Sequence, residues 1–291
     1  MASYVIVTPA HNEEKFIERT IDSMINQTVR PIRWVVVNDN STDRTQTIIE
    51  QYAAHHDFIQ LVNFRRSGGR HFGNKVRAFN HGLIEAQVLD YHYIGNLDAD
   101  ISVEKDYFER ILNEFSRDSD LGICGGMVHT CIGDKFVSQD VGLDSVAGAV
   151  QLFRRECFDQ VGGYLELPQG GIDAAAEIMA RMKGWKVRTF PEFCVLEHRR
   201  TGTATARLLA SKVNEGQRFQ SLGYSFLFLC LRCLYRSVDR PRVVGSAATL
   251  YGYLKGMISR NPIVLPPDVV LYLRAEQRSK LMRLLGHSHR V

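Results

Sequence analysis

The chain has 291 residues, 45% of them hydrophobic and 23% charged, which predicts one large domain, alone or with an appendage, and argues against global disorder. Its net charge of +4 is unevenly spread: residues 1–199 hold 21 Lys+Arg and 28 Asp+Glu (−7), and residues 200–291 hold 15 and 4 (+11). An acidic body therefore carries a basic C-terminal region suited to something anionic. No apolar stretch reaches the ~18–20 residues that span a bilayer. Met1 to Val7 lacks the basic lead and long apolar run of a signal peptide. The six cysteines are scattered and read as reduced thiols of a cytoplasmic protein. Cys230-x-x-Cys233 has metal-like spacing, but it lacks a second pair and reads as packing.

The first half alternates strand and helix patterns. Tyr4 to Thr8 reads as a strand, Glu13 to Asn26 as a helix, and Arg33 to Val37 as a second strand. Ser41-Thr42-Asp43 offers an N-cap before a helix reaching Ala54. Phe58 to Phe64 reads as strand, His71 to Ala86 as helix and Tyr91 to Leu97 as strand. This alternation predicts a parallel sheet flanked by helices, with ligands at the carboxyl ends of the strands. Past residue 120 the pattern loosens. Strands are predicted over Leu121–Val128 and Ala147–Phe153, and turns at Gly162-Gly163 and Gly170-Gly171, the latter in a mobile loop. A helix follows over Ile172–Lys183, with Glu177 and Arg181 at a favourable four-residue spacing. Trp185–Phe190 and Phe193–Leu196 read as short strands. Helices are predicted over 206–221, 224–236, 242–258 and 267–285.

Polar clusters follow the strand-like runs: Thr8-Pro9-Ala10-His11-Asn12-Glu13-Glu14, Asn38-Asp39-Asn40-Ser41-Thr42-Asp43, Asn96-Leu97-Asp98-Ala99-Asp100 and, later, Gly170-Gly171-Ile172-Asp173. Two carboxylates one residue apart at a strand end can point into one crevice. Such hard oxygen ligands suit Mg²⁺ or Mn²⁺ bound together with substrate phosphates. Alone, an Asp-x-Asp is equally a solvated acidic turn.

In this order, and with Asn74-Lys75-x-x-Ala78-x-Asn80-x-Gly82 between the second and third, these clusters make the chain similar to family 2 glycosyltransferases over residues 3–200. The resemblance implies a GT-A fold, an α/β Rossmann-like sheet flanked by helices, and inverting transfer of a sugar from a nucleotide-sugar. It implies a catalytic domain over 1–204, with a nucleotide-sugar half (1–100) and an acceptor half (101–204). Thr8, Ala10 and Glu13 fall where the family's first loop meets the nucleotide. Asp39 matches the residue that accepts a hydrogen bond from the base; its other reading is an N-cap, which Ser41 or Asp43 could supply. The family often has Asp-Asp-Gly-Ser here, so Asn38 is a departure. Gly68 to His71 falls on a flexible loop, and Arg70 and Lys75 are candidates to reach base or phosphates. Asp98 resembles the carboxylate near the ribose, and Asp100 the metal ligand. Asp173 is the candidate general base, or a helix N-terminal charge favoured by the dipole. Glu177 is the substitute base if Asp173 only caps. The family's usual Glu-Asp pair is here Ile172-Asp173. His198 falls where many relatives complete the metal site, Arg199 and Arg200 are diphosphate cations, and Thr201-Gly202-Thr203 reads as a mobile segment.

The region 205–291 is predicted to be a basic, amphipathic, helical extension. It lacks the Gln-x-x-Arg-Trp of processive synthases, having only Gln217-Arg218-Phe219, which implies single transfers. The apolar run Leu222–Leu231, the arginines Arg232, Arg236, Arg240 and Arg242, and the helix Val243–Ile258 suit a membrane interface over 222–260. A packed subdomain or a homodimer interface is the alternative. No nucleic-acid-binding motif is present. The expected acceptor is a glycan, lipid-linked, on the inner face of a membrane, in bacterial-type polysaccharide or glycolipid assembly. Two rivals stand beside this reading: an inactive relative serving as an assembly subunit, and a nucleotidyltransferase.

Overall fold

The computed structural model describes residues 2–65, 73–133, 135–138, 142–199, 205–236 and 242–287. The chain divides into two compact units, residues 1–166 with 172–201, and residues 167–171 with 202–291.

The first unit is built on a mixed sheet. Strands β1 (Tyr4–Ala10), β2 (Arg33–Asp39), β3 (Ile59–Phe64) and β4 (Tyr93–Leu97) run parallel in the order β3-β2-β1-β4. Both faces of this half are covered, so β1 and β2 are near-continuous apolar runs. The even residues Tyr4, Ile6, Trp34 and Val36 join Ile17 and Ile21 of helix α1 (Ile17–Ile25) in the main core. On the other face Val7, Val35 and Val37 press against Gly82 of α3 (Gly73–Ala86), where a Cβ would meet Val37 at 2.5 Å. Helix α2 (Thr45–Ala53) joins β2 to β3, and Thr45 N–H donates to Asp43 Oδ1 at 3.0 Å at its start.

The sheet continues beyond β4. β5 (Ile101–Val103) and α4 (Tyr107–Arg117) precede the long β6 (Leu121–Ile132), its partner β7 (Lys135–Ser138), then β8 (Val150–Arg154), α5 (Arg155–Val161), α6 (Ile172–Met182) and β9 (Lys186–Glu197). β8 is antiparallel to β4 and β6, β9 is parallel to β6, and β5 closes on β9. The two short strands expected between Trp185 and Leu196 are one strand with a bulge. Gly126 pairs with Phe190 and Met127 with Cys194, leaving Pro191, which has no N–H for a ladder, in the irregular stretch. Helix α4 falls between residues 101 and 120, where no element is expected from the pattern of the first half. Yet Tyr107, Phe108, Ile111, Leu112 and Phe115 recur at helical spacing and are all buried.

The second unit contains α7 (Thr205–Ser221), α8 (Phe226–Tyr235), α9 (Arg242–Ile258) and α10 (Pro267–His287), close to the predicted helices. α7 and α9 cross backbone to backbone. A Cβ on Gly216 would strike the Thr249 carbonyl, and one on Gly252 the Val213 carbonyl. Cys233 packs in a small core with Leu229 and Tyr253. No described helix is long and apolar enough to cross a membrane.

Candidate functional site

The loops after β1 and β2 are laced together at the carboxyl edge of the sheet. Asn12 N–H donates to Ser41 Oγ at 3.1 Å, Glu13 N–H to Thr45 Oγ1 at 2.7 Å and Glu14 N–H to Asp43 Oδ2 at 3.2 Å. Asn12 and Asn40 both hold left-handed backbone, with φ of 56° and 55°. Asn38 donates to Asn63 Oδ1 at 2.8 Å and to Gln46 Oε1 at 3.0 Å. An aspartate here would require both of these amides to turn and donate to it. Asp39 ends β2, is buried, and its carbonyl oxygen lies 2.6 Å from His11 Nδ1. Thr8 is fully buried, its hydroxyl accepting from the Trp34 indole at 2.9 Å, and Ala10 ends β1 opposite Asn38.

The acidic centre lies just beyond β4. Asp98 N–H donates to Ala149 O at 2.9 Å. Its Oδ1 accepts from Lys75 Nζ at 2.5 Å and from Asn96 Nδ2 at 3.0 Å. Asp100 is buried and accepts from Arg199 Nε at 2.9 Å. The same guanidinium bonds both carboxylate oxygens of Glu13 and lies 5.4 Å from the centroid of the Phe16 ring. Burial pushes the Glu13 carboxyl up to about 7; Arg199 opposes the shift, and the charges of Asp100 and Asp98 add to it. Burial, reinforced by Asp98, also raises the Asp100 carboxyl against the pull of Arg199. His198 donates its backbone N–H to the Asp100 carbonyl at 2.9 Å, but its ring faces elsewhere. Nε2 lies 2.7 Å from Ser102 Oγ and Nδ1 lies 3.4 Å from Arg19. Burial, with Arg19 adding, lowers its pKa, favouring neutral imidazole. Arg70, Arg200 and residues 201–203 lie outside the described residues.

Asp173 opens α6 and sits against Gly148, where a Cβ would come within 2.8 Å of Asp173 Oδ2. The Gly148 carbonyl is held by Asn96 Nδ2 at 2.7 Å and by Lys75 Nζ at 3.4 Å. This strand of backbone therefore lies between the Asp98 cluster and Asp173. A small pocket is lined by Lys75, Phe79, Asn96, Gln151, Tyr164 and Asp173, among others. Glu177, one turn along α6, points inward. It accepts from Val146 N–H at 2.7 Å, Ser145 Oγ at 2.8 Å and Gln151 Nε2 at 3.0 Å, and burial pushes it up to about 7. Asn96, Gly148 and Gln151 had been given no role from sequence. Asn96 stood within the fourth strand's polar cluster, whereas Gly148 in Ala147-Gly148-Ala149 carried no signal beyond small size.

No three His, Cys, Asp or Glu side chains form a ready metal cage among the described residues. The donor chemistry nevertheless fits a hard divalent cation. Asp98 and Asp100 offer carboxylate oxygens, and each raises the pKa of Glu13, a mark of crowded negative charge. Mg²⁺ and Mn²⁺ commonly take only one or two protein carboxylates and complete their shell with substrate phosphates.

The chain matches the family model for glycosyl transferase family 2 over residues 5–161. It is 31% identical over 116 residues to the chondroitin synthase of Escherichia coli, a stretch covering 40% of this chain and 16% of that protein. The chain thus spans a minor part of such relatives. TarS 1–349 of S. aureus, solved in complex with UDP-GlcNAc, superimposes with a TM-score of 0.55 at 14% identity, over 88% of this chain and 73% of that one. The mannosyltransferase PcManGT from Pyrobaculum calidifontis, solved with GDP-Man and Mn²⁺, gives 0.57 at 16% identity, over 96% and 80%. These likenesses identify the fold as GT-A. With more than half its length matched by the family model, this chain belongs to glycosyl transferase family 2.

Proposed function

We propose that this protein is an inverting, divalent-cation-assisted glycosyltransferase. It moves one sugar from a nucleotide-sugar, UDP-linked by preference, to a hydroxyl of a lipid-linked glycan. The carrying observation is the convergence of Asp98, Asp100, Glu13, Lys75 and Arg199 at the carboxyl edge of the sheet, with Asp173 across Gly148. In this reading Thr8, Ala10 and Glu13 frame the nucleotide, Asp39 accepts from the base, and Asp98 addresses the ribose. Lys75 and Arg199 meet the diphosphate, as Arg70 also would. Asp100 would hold Mn²⁺ or Mg²⁺, with Asp98 beside it and His198 supporting it through its backbone N–H. The ion would neutralise charge on the departing nucleoside diphosphate. Asp173 takes the proton of the acceptor hydroxyl, which must approach opposite the leaving group for inversion. Enclosure of the donor limits its hydrolysis. The setting is the cytoplasmic face of a membrane, in polysaccharide or glycolipid assembly, with the C-terminal unit at the surface.

The nucleotidyltransferase alternative needs a loop after β1 that offers its N–H groups to phosphates. Here the N–H groups of Asn12, Glu13 and Glu14 are already given to Ser41, Thr45 and Asp43, which counts against it. The test is thermal-shift binding of UDP, GDP, dTDP and CDP, with and without Mn²⁺, on wild type and Asp100→Ala. A ligand of the native state raises the midpoint by mass action. A metal-dependent shift with one nucleotide, lost in Asp100→Ala, supports the reading; no shift with any nucleotide overturns it in favour of the inactive assembly subunit.

A further inference from the structure

We propose that the outward faces of α8 and α9 form a docking surface for an anionic lipid bilayer, entering its headgroup–acyl boundary without crossing it. This deepens the proposed reading of a lipid-linked acceptor, but it rests on different residues from the donor site.

Helix α9 turns mostly small residues inward and large apolar residues outward. Its buried side carries Gly245, Thr249, Gly252, Tyr253 and Gly256, and at Gly252 the α7 backbone comes so close that a Cβ would strike the Val213 carbonyl. Its exposed side carries Val244, Tyr251, Leu254 and Ile258, the last 83% exposed. A helix packed for water does the reverse, burying its large apolar residues. Small residues at the crossing and large apolar ones outside are the pattern of helices whose outer face meets lipid. Helix α8 also presents large apolar residues outward. Leu229 and Cys233 are buried, while Leu227, Leu231 and Leu234 are exposed, Leu234 at 70%. The two helices are adjacent: the Phe226 and Tyr253 rings are 5.6 Å apart, and Ser246 Oγ donates to the Cys233 carbonyl at 2.8 Å.

Charge selects the occupant. Neither α8 nor α9 contains an acidic residue; the charged side chains described on them are Arg232 and Lys255, and exposed Arg260 follows α9. A second copy docking through the same faces would bring these cations together with no acidic partner. An anionic lipid surface supplies that partner, and each Lys or Arg held near it is worth about five-fold in partition. Since no described helix is long and apolar enough to span, the helices would lie in the interface plane.

The test is co-sedimentation of the full chain with vesicles of phosphatidylglycerol and phosphatidylcholine in equal parts, and of phosphatidylcholine alone, at low and high salt. Wild type is expected to bind the anionic vesicles at least about ten-fold better, and less well in high salt. Leu231→Glu with Leu254→Glu, both at exposed positions, is expected to lower binding by about ten-fold or more while Tm and the nucleotide-induced shift stay unchanged. Wild type remaining in the supernatant with both vesicle types overturns the proposal, as does unchanged binding of the variant. Light scattering that finds a dimer dissociated by the same two substitutions overturns it in favour of a second copy. Lost vesicle binding with an intact nucleotide shift removes only this surface. Intact vesicle binding without a nucleotide shift removes only the donor reading.

Discussion

Arg199 Nε donates to Asp100 Oδ2 at 2.9 Å, joining positions 99 residues apart, and the same side chain closes on Glu13. One cation thus compensates two carboxylates whose burial raises their pKa. A divalent ion held at Asp100, as proposed, would compete with that guanidinium. Arg199→Ala is therefore expected to tighten Mn²⁺ binding in the absence of nucleotide. It should also weaken UDP binding about ten-fold, since a charge-assisted bond is worth about 1.5–3 kcal/mol. Mn²⁺ titration by electron paramagnetic resonance reads the first effect and calorimetry with UDP the second. Weaker binding of both would mean that Arg199 only shapes the site.

Gly148 offers a test of Asp173. A Cβ there would come within 2.8 Å of Asp173 Oδ2 and 3.0 Å of its Cβ, while Asn96 holds the Gly148 carbonyl at 2.7 Å. Gly148→Ala is expected to displace the carboxylate rather than the backbone. Misplacing a reacting group by about 1 Å can cost 10²-fold in rate. Initial rates should show kcat falling by that order with the donor KM little changed. An equal loss of donor affinity would move Gly148 from the acceptor side to the donor side.

Glu177 titrates where stability can be read. Burial pushes its carboxyl from 4.5 to about 7 in the folded chain. A raised folded pKa means that the native state holds the proton more tightly. The stabilisation is therefore complete below about pH 4.5 and is lost as pH rises through 7. Its size is on the order of 3 kcal/mol. Gln can keep the bonds from Val146 and Gln151 with its oxygen and donate to a turned Ser145 hydroxyl with its NH₂, while giving up the charge that faces Arg181 at 3.8 Å. Glu177→Gln should remove this part of the pH dependence, raising Tm relative to wild type at pH 8 but not at pH 5. Parallel Tm profiles for the two proteins would show that Glu177 stays ionised throughout.

The first half of the sheet was legible because β1, β2 and β4 are buried on both faces and each ends in a polar cluster. Asp98 and Asp100 could be found that way, since both follow one strand. The partnership of Asp100 with Arg199 could not, because nothing local links a strand end to a residue beyond the last strand. His198 shows the same limit: its position after β9 is readable, but the turn of its ring toward Ser102 and Arg19 depends on β5 and α1. Helix α4 was readable and unread, since its apolar spacing is regular. The Pro191 bulge disguised one strand as two.

Gly216 tests how the C-terminal unit is held. A Cβ there would strike the Thr249 carbonyl and come within 2.8 Å of Tyr253 N. In an exposed helix interior, Gly→Ala stabilises by about 1 kcal/mol. Here the α7 and α9 backbones would have to separate, and overpacking of this kind costs about 1–3 kcal/mol. Gly216→Ala should therefore destabilise the C-terminal unit, seen as faster proteolysis within residues 205–287, while nucleotide binding by the first unit persists. A variant more resistant to proteolysis than wild type would mean that helix propensity outweighs the crossing and that α7 and α9 are not in backbone contact.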